Sequence, residues 1–104
     1  MRKPSHCTIK VLKAGPPEVG AQFTLEVKSS FNEEWIERMK AQIPYTDRRW
    51  DDEEKRWYYL PEYMEDLQIL AVEHFEAARL IEGNVTTDLH SGQVTEQMSM
   101  FGEE

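Results

Sequence analysis

In the middle of the chain, positive charge is interleaved with large aromatic rings: Arg48-Arg49-Trp50, an acidic bend Asp51-Asp52-Glu53-Glu54, then Lys55-Arg56-Trp57-Tyr58-Tyr59. Guanidinium groups can track a phosphate backbone, and rings give flat apolar faces on which bases stack whatever their sequence. The combination suits single-stranded nucleic acid. The same residues have a purely structural reading, with Trp50, Trp57 and Tyr59 as core and the four cations paired to Asp47, Asp51, Asp52, Glu53 and Glu54 as a solvated rim. The acidic bend speaks for that second reading, because carboxylates near phosphate repel it and salt only softens the effect.

Other chemistry is thinly represented. His6, Cys7, His74 and His90 are too scattered for the short ligand spacings of a zinc motif. A single cysteine forms no internal disulfide, in keeping with a reducing compartment, and no motif around it suggests an activated thiol. His74 reads as a packing histidine, and the many carboxylates read as solvated surface. No Gly-rich phosphate loop with a following Lys and Ser or Thr is present, so the expectation is a non-enzymatic protein without cofactor or metal.

Near the C-terminus the run Gln97-Met98-Ser99-Met100-Phe101 puts bulky apolar groups in a polar stretch, where they gain nothing unless something covers them. The run resembles the bacterial sliding-clamp-binding motif, whose pattern is Gln, an aliphatic residue, Ser or Asp, an aliphatic residue and Phe. The resemblance implies that Gln97 hydrogen-bonds at one subsite of the clamp while Met100 and Phe101 fill an apolar pocket. Met at two positions, where Leu is commoner, keeps the volume and adds side-chain entropy. The alternative is a C-terminal segment folding back over an exposed edge of its own core.

The elements that must position these groups follow from periodicity. Thr8–Lys13 reads as a strand and residues 14–20, rich in Gly and Pro, as the loop after it. Phe23-Thr24-Leu25-Glu26-Val27-Lys28 alternates apolar and polar, which predicts a strand with Phe23, Leu25 and Val27 on one face. Ser30 with Glu33 fits a capping box, and Trp35, Ile36, Met39 and Ile43 recur at helical spacing before Pro44, predicting a helix over 31–43. Two short strands around the acidic bend predict a hairpin. Pro61, the acidic Glu62, Glu65 and Asp66, a stripe from Met64 to Ile81 and a terminal Gly83 predict a helix over 62–82. Residues from Asn84 onward show neither period and read as a mobile linker. The expected fold class is α+β: a small antiparallel sheet of two N-terminal strands plus a hairpin, packed with two helices. The expected organisation is a domain over 1–83 and a flexible tail over 84–104.

Phe31 through Phe75 resembles the HARP domain that accompanies annealing-helicase motors, and the related N-terminal domain of phage branch-migration helicases. The resemblance rests on Ile43-Pro44, Arg48-Arg49-Trp50-Asp51 and Lys55-Arg56-Trp57, followed by a strand and a helix with Tyr63 and Leu67. It implies binding to single-stranded or forked DNA, with Arg48, Arg49, Lys55 and Arg56 on phosphates and Trp50 or Trp57 stacking on bases.

Charge is unevenly shared. The chain carries −8 overall, but residues 1–49 hold nine Lys/Arg against six Asp/Glu, whereas residues 50–104 hold three against fourteen. Two functional expectations follow. One is a replication or repair accessory protein that binds the sliding clamp through its tail and DNA through the hairpin. The other is an acidic interaction or inhibitor protein, of a phage or mobile element, that occupies the clamp pocket or mimics DNA. No apolar stretch is long enough for a membrane span and no apolar segment follows the basic N-terminus, so the expected location is cytoplasmic and nucleoid-associated.

Overall fold

Alternation in the first two apolar segments sorts side chains to two faces of a sheet, and the computed structural model, which describes residues 4–96, shows where each face goes. The strands are β1 (His6–Val11), β2 (Leu25–Ser29), β3 (Arg48–Asp51), β4 (Arg56–Tyr59), β5 (Ala77–Glu82), β6 (Val85–Asp88) and β7 (Val94–Glu96). They form one sheet in the order β3-β4-β2-β1-β5-β6-β7. Helices α1 (Glu33–Gln42) and α2 (Met64–His74) complete an α+β fold. Cys7, Ile9, Leu25, Val27, Tyr59 and Ala78 from the strands close on Trp35, Met39, Ile43, Leu67, Leu70, Ala71 and Phe75 in one core cluster. All six strand residues lie on one face, so both helices cover that face and no helix covers the other, open one, although Tyr58 is buried there.

Helix α1 starts at Asn32, not at the Ser30 capping box. The Asn32 side chain accepts from the Trp35 amide at 3.0 Å and donates through Nδ2 to the His74 carbonyl at 3.1 Å, so one residue caps α1 and binds it to the end of α2. Ser30 serves the sheet instead, accepting from the His6 amide at 3.0 Å. Extended Ile43 before Pro44 ends α1.

Three expectations fail. The helix over 62–82 stops at His74, where Phe75 turns extended and its amide bonds back to Ala71. Ala77–Glu82 is then a sheet strand, parallel to β1 with Ile9 opposite Leu80. Apolar residues at 67, 70, 71, 75, 78 and 81 keep helical spacing, but β1 needs a second neighbour, and pairing with residues 77–82 satisfies a whole row of its backbone groups. The sheet is therefore larger than expected and not wholly antiparallel. Gly83 caps no helix: with φ +63 it begins the two-residue turn joining β5 to β6, the type II′ hairpin pattern. The third is the linker, since residues 85–88 and 94–96 pair as β6 and β7 around an Asp88 turn whose carboxylate accepts from the His90 and Ser91 amides. The paired sheet reaches Glu96.

Phe23 also departs from its expected face. It precedes β2, its amide bonds to the Gly20 carbonyl, and it is buried outside the helix-side cluster, under the Arg49 guanidinium at 4.5 Å. Alternation holds only where the ladder does.

Cys7 is buried, and burial pushes its thiol up to about 12, so it stays protonated and inert. Tyr59 is fully buried with a hydroxyl that has no hydrogen-bond partner among the described residues, and burial pushes its phenol well above its ordinary value. An unsatisfied buried hydroxyl costs about 1–3 kcal/mol. Tyr59→Phe is therefore expected to leave stability unchanged or raise it by about 1 kcal/mol, read as the urea unfolding midpoint. A fall of similar size would show that the hydroxyl makes a favourable contact.

Candidate nucleic-acid interface

The hairpin β3-β4 forms one edge of the sheet, and its pairing decides which side chains meet. Arg48 lies opposite Tyr59 and Trp50 opposite Trp57, so these four share the helix-covered face; Arg49 opposite Tyr58 and Asp51 opposite Arg56 point to the open one. Trp57 and Tyr59 stack with centroids 6.1 Å apart, and Trp50 leans on Trp57 at 5.1 Å. This makes an aromatic ladder that is buried at Tyr59, half-buried at Trp57 and 46% exposed at Trp50. The structural reading of these rings thus holds for Tyr59, while Trp50 stays open to solvent.

A groove of about 410 Å³ is lined by Lys40, Tyr45, Arg48, Arg49, Trp50 and Trp57. Lys40 reaches across from α1, with its ammonium 5.9 Å from the Trp57 ring centroid. Tyr45, in the 3-10 turn Tyr45–Asp47 after Pro44, is 78% exposed at the rim. Arg48 is fastened by a hydrogen bond to the Ile43 carbonyl, and Arg49 donates to the carbonyls of Thr46 and Arg48. Neither has a carboxylate partner among the described residues, so their charges remain available to a ligand. The 3-10 turn is itself tied down, because Tyr63 donates from its hydroxyl to Asp47, a bond that pushes the Tyr63 phenol up to about 12.

A second groove of about 270 Å³ shares Trp50 and Trp57 with the first and is bordered by Phe31, Ile36 and Lys55. Phe31 is 84% exposed, outside the helix predicted to contain it. The two indoles form a wall shared by both grooves, each of which adds a cation and an exposed aromatic ring.

The acidic bend is largely engaged with its own turn. Asp51 accepts from the amides of Glu53 and Glu54. Asp52 accepts from Trp50 Nε1 at 3.3 Å and from Lys55 Nζ at 3.1 Å, bonds that hold its carboxyl below the usual range. The bend therefore orients the exposed indole.

Of the six residues singled out by sequence, Arg48, Arg49, Trp50 and Trp57 meet in the first groove and Lys55 borders the second. Arg56 is not brought there. It lies on the open face, with Nη1 3.0 Å from Glu26 and Nη2 3.5 Å from Glu54, and Glu26 accepts from the Tyr58 hydroxyl as well. Bonding to Glu26 holds the Arg56 guanidinium even more firmly protonated than usual. Lys40, Tyr45 and Phe31 were missed by sequence reasoning. Phe31 and Tyr45 carried one signal, an aromatic ring flanked by polar residues or beside a helix-ending proline; Lys40 carried none. Residues Gln97, Met98, Ser99, Met100 and Phe101 lie outside the described residues.

No helix among the described residues is long and apolar enough to cross a membrane, and none of their His, Cys, Asp and Glu clusters could hold a metal ion. Comparison with protein-family models, curated proteins and solved structures finds no match to this chain.

Proposed function

We propose that the protein is a non-enzymatic accessory of bacterial DNA replication or repair that binds single-stranded DNA at the β3-β4 edge and is concentrated at the sliding clamp by Gln97–Phe101. The observation that carries the DNA reading is the shared groove. Three exposed or half-exposed rings, Tyr45, Trp50 and Trp57, stand beside three cations, Lys40, Arg48 and Arg49, that have no carboxylate partner among the described residues. Aromatic faces accept unstacked bases and the cations accept the adjoining phosphates, a combination that is sequence-tolerant and salt-dependent. Duplex bases, already stacked, gain nothing from the indole wall, so single strands and fork junctions are the favoured substrates. The clamp reading rests on the five-residue motif, and joining two weak contacts on one chain raises the effective concentration of each.

Replacing Trp50 with Ala is expected to weaken single-stranded DNA binding by about 1–3 kcal/mol, roughly five- to 150-fold. Half-exposed Trp50 is not in the core cluster, so the fold should survive. Fluorescence anisotropy with a labelled oligothymidylate at low salt gives the measurement. If wild type does not bind even there, the DNA role is lost.

A second reading is favoured by the helical surface, where Glu33, Glu34 and Glu37 of α1 and Glu65, Asp66 and Glu73 of α2 are all exposed. Such a face could imitate a phosphate array and make the protein an acidic inhibitor acting at the clamp or on a DNA-binding partner. Binding to a clamp in competition with DNA, without DNA binding of its own, distinguishes this reading from the first.

A further inference from the structure

We infer that the open face of the sheet extends the single-stranded DNA path beyond the aromatic groove, with Lys10, Lys28 and Arg79 as phosphate contacts. This inference rests on the DNA reading above and assigns its second half.

The pairing of the strands places these cations. Arg49, Tyr58, Glu26 and Lys10 form one cross-strand row, and Lys28, Thr8, Arg79 and Asp88 form the next row on the same face. Arg49 also lines the aromatic groove, so it belongs to both surfaces and joins them around the sheet edge. With strands spaced about 4.8 Å apart, Lys10 lies about 14 Å from Arg49 across the sheet and Arg79 about 19 Å. That reach suits a strand of several nucleotides.

Charge supports the assignment. The chain has 20 acidic residues against 12 basic ones, so a surface patch on which cations outnumber acids runs against its overall balance. Among the described residues Arg38, Lys55 and Arg56 are ion-paired with carboxylates. Lys10, Lys28 and Arg79 are exposed, and none has a carboxylate partner among the described residues. The nearby acids are otherwise occupied: Glu26 is neutralised by Arg56, Asp51 caps the hairpin turn, and Asp88 accepts from the His90 and Ser91 amides. The face therefore presents net positive charge on an acidic protein. Its remaining groups include Thr8, Thr86 and one half-buried apolar residue, Ile81, a mostly polar surface that fits backbone tracking better than an apolar protein partner.

The test uses the full chain and oligothymidylates of about six and about twenty nucleotides, measured by anisotropy over a salt series. The variant carries Lys10→Gln, Lys28→Gln and Arg79→Gln, all exposed positions. It is expected to bind the short oligonucleotide like wild type and the long one about tenfold more weakly, with a log–log salt slope reduced by about 2 for three lost phosphate contacts. Trp50→Ala should weaken both lengths. If the triple variant matches wild type on the long oligonucleotide, the open face carries no DNA while the groove reading stands. If it loses both lengths equally, the cations act by general attraction rather than as an extended path, and the inference is overturned. Failure of wild type to bind either length overturns the groove reading and this inference with it.

Discussion

Changing Gln97, Met100 and Phe101 together to Ala is expected to abolish binding to a bacterial sliding clamp while leaving the unfolding temperature of the domain unchanged. Burying a Met and a Phe side chain contributes roughly 1.5–3 kcal/mol each, so removing both costs more than a hundredfold in affinity before the glutamine is counted. A peptide contact of this kind is weak to begin with, since ordering the chain offsets part of the gain, and such a loss takes it below detection. A pull-down on immobilised clamp, paired with a thermal melt, reads both halves of the prediction. Clamp binding by the variant at the wild-type level would refute the recruitment role. A lowered melting temperature with clamp binding retained would mean that these apolar residues cover the domain's own core.

Trp35→Ala is the second large effect, and it acts on the fold. Trp35 is almost fully buried at the centre of the core cluster, meeting the Phe75 ring edge-on with centroids 5.5 Å apart. It projects from the first turn of α1, and its amide is the one capped by Asn32, so the ring packs where the two helices meet. Truncating a buried Trp leaves a cavity and costs about 3–5 kcal/mol, a large share of the 5–15 kcal/mol that stabilises a typical domain. The urea midpoint should fall by at least about a fifth. Loss of DNA binding should accompany unfolding and not precede it, because Trp35, although it borders the second groove, is almost fully buried and does not line the first, where Lys40, Arg48 and Arg49 lie. A midpoint within a few per cent of wild type would show that this core tolerates the cavity.

The contrast between Trp35 and Trp50 shows how far sequence alone reaches. Trp35 announces itself through Ile36, Met39 and Ile43 at helical spacing, and the helix lies where that spacing puts it, within two residues. β1, β2 and the hairpin were legible for the same reason, since local alternation reflects a local geometry. The stretch from Ala77 was not. Its apolar residues fit the helix before it as well as a strand, and what decides between them is β1, a partner some seventy positions earlier. Apart from one Val each, the strands β6 and β7 carry Thr, Asp and Glu, too polar to signal burial, and their order comes from backbone pairing. The candidate site divides in the same way. Residues adjacent in the chain, Arg48 to Trp50 and Trp57, were found as a cluster. Lys40 joins them only because α1 crosses the sheet near Trp57, and Arg56 leaves them only because Glu26 stands two strands away from β3. Both are products of tertiary contact.

The parallel pairing of β1 with β5 also bears on how the protein is made. Ser5 and Glu76, 71 positions apart, exchange two hydrogen bonds, Ser5 N to Glu76 Oε1 at 3.1 Å and Glu76 N to Ser5 Oγ at 3.0 Å, at the start of that pairing. A chain emerging from the ribosome can form the β1-β2 hairpin early, but the second edge of β1 waits until residues 77–82 have been synthesised. Until then Ile9 and Cys7 belong to an unfinished sheet with an open apolar edge, the kind of surface that chaperones shield and that aggregates when left alone. Contacts of such long range also slow folding itself. Translation must therefore run some seventy residues beyond β1 before the central strand is closed on both sides, and that strand waits half-paired in the meantime.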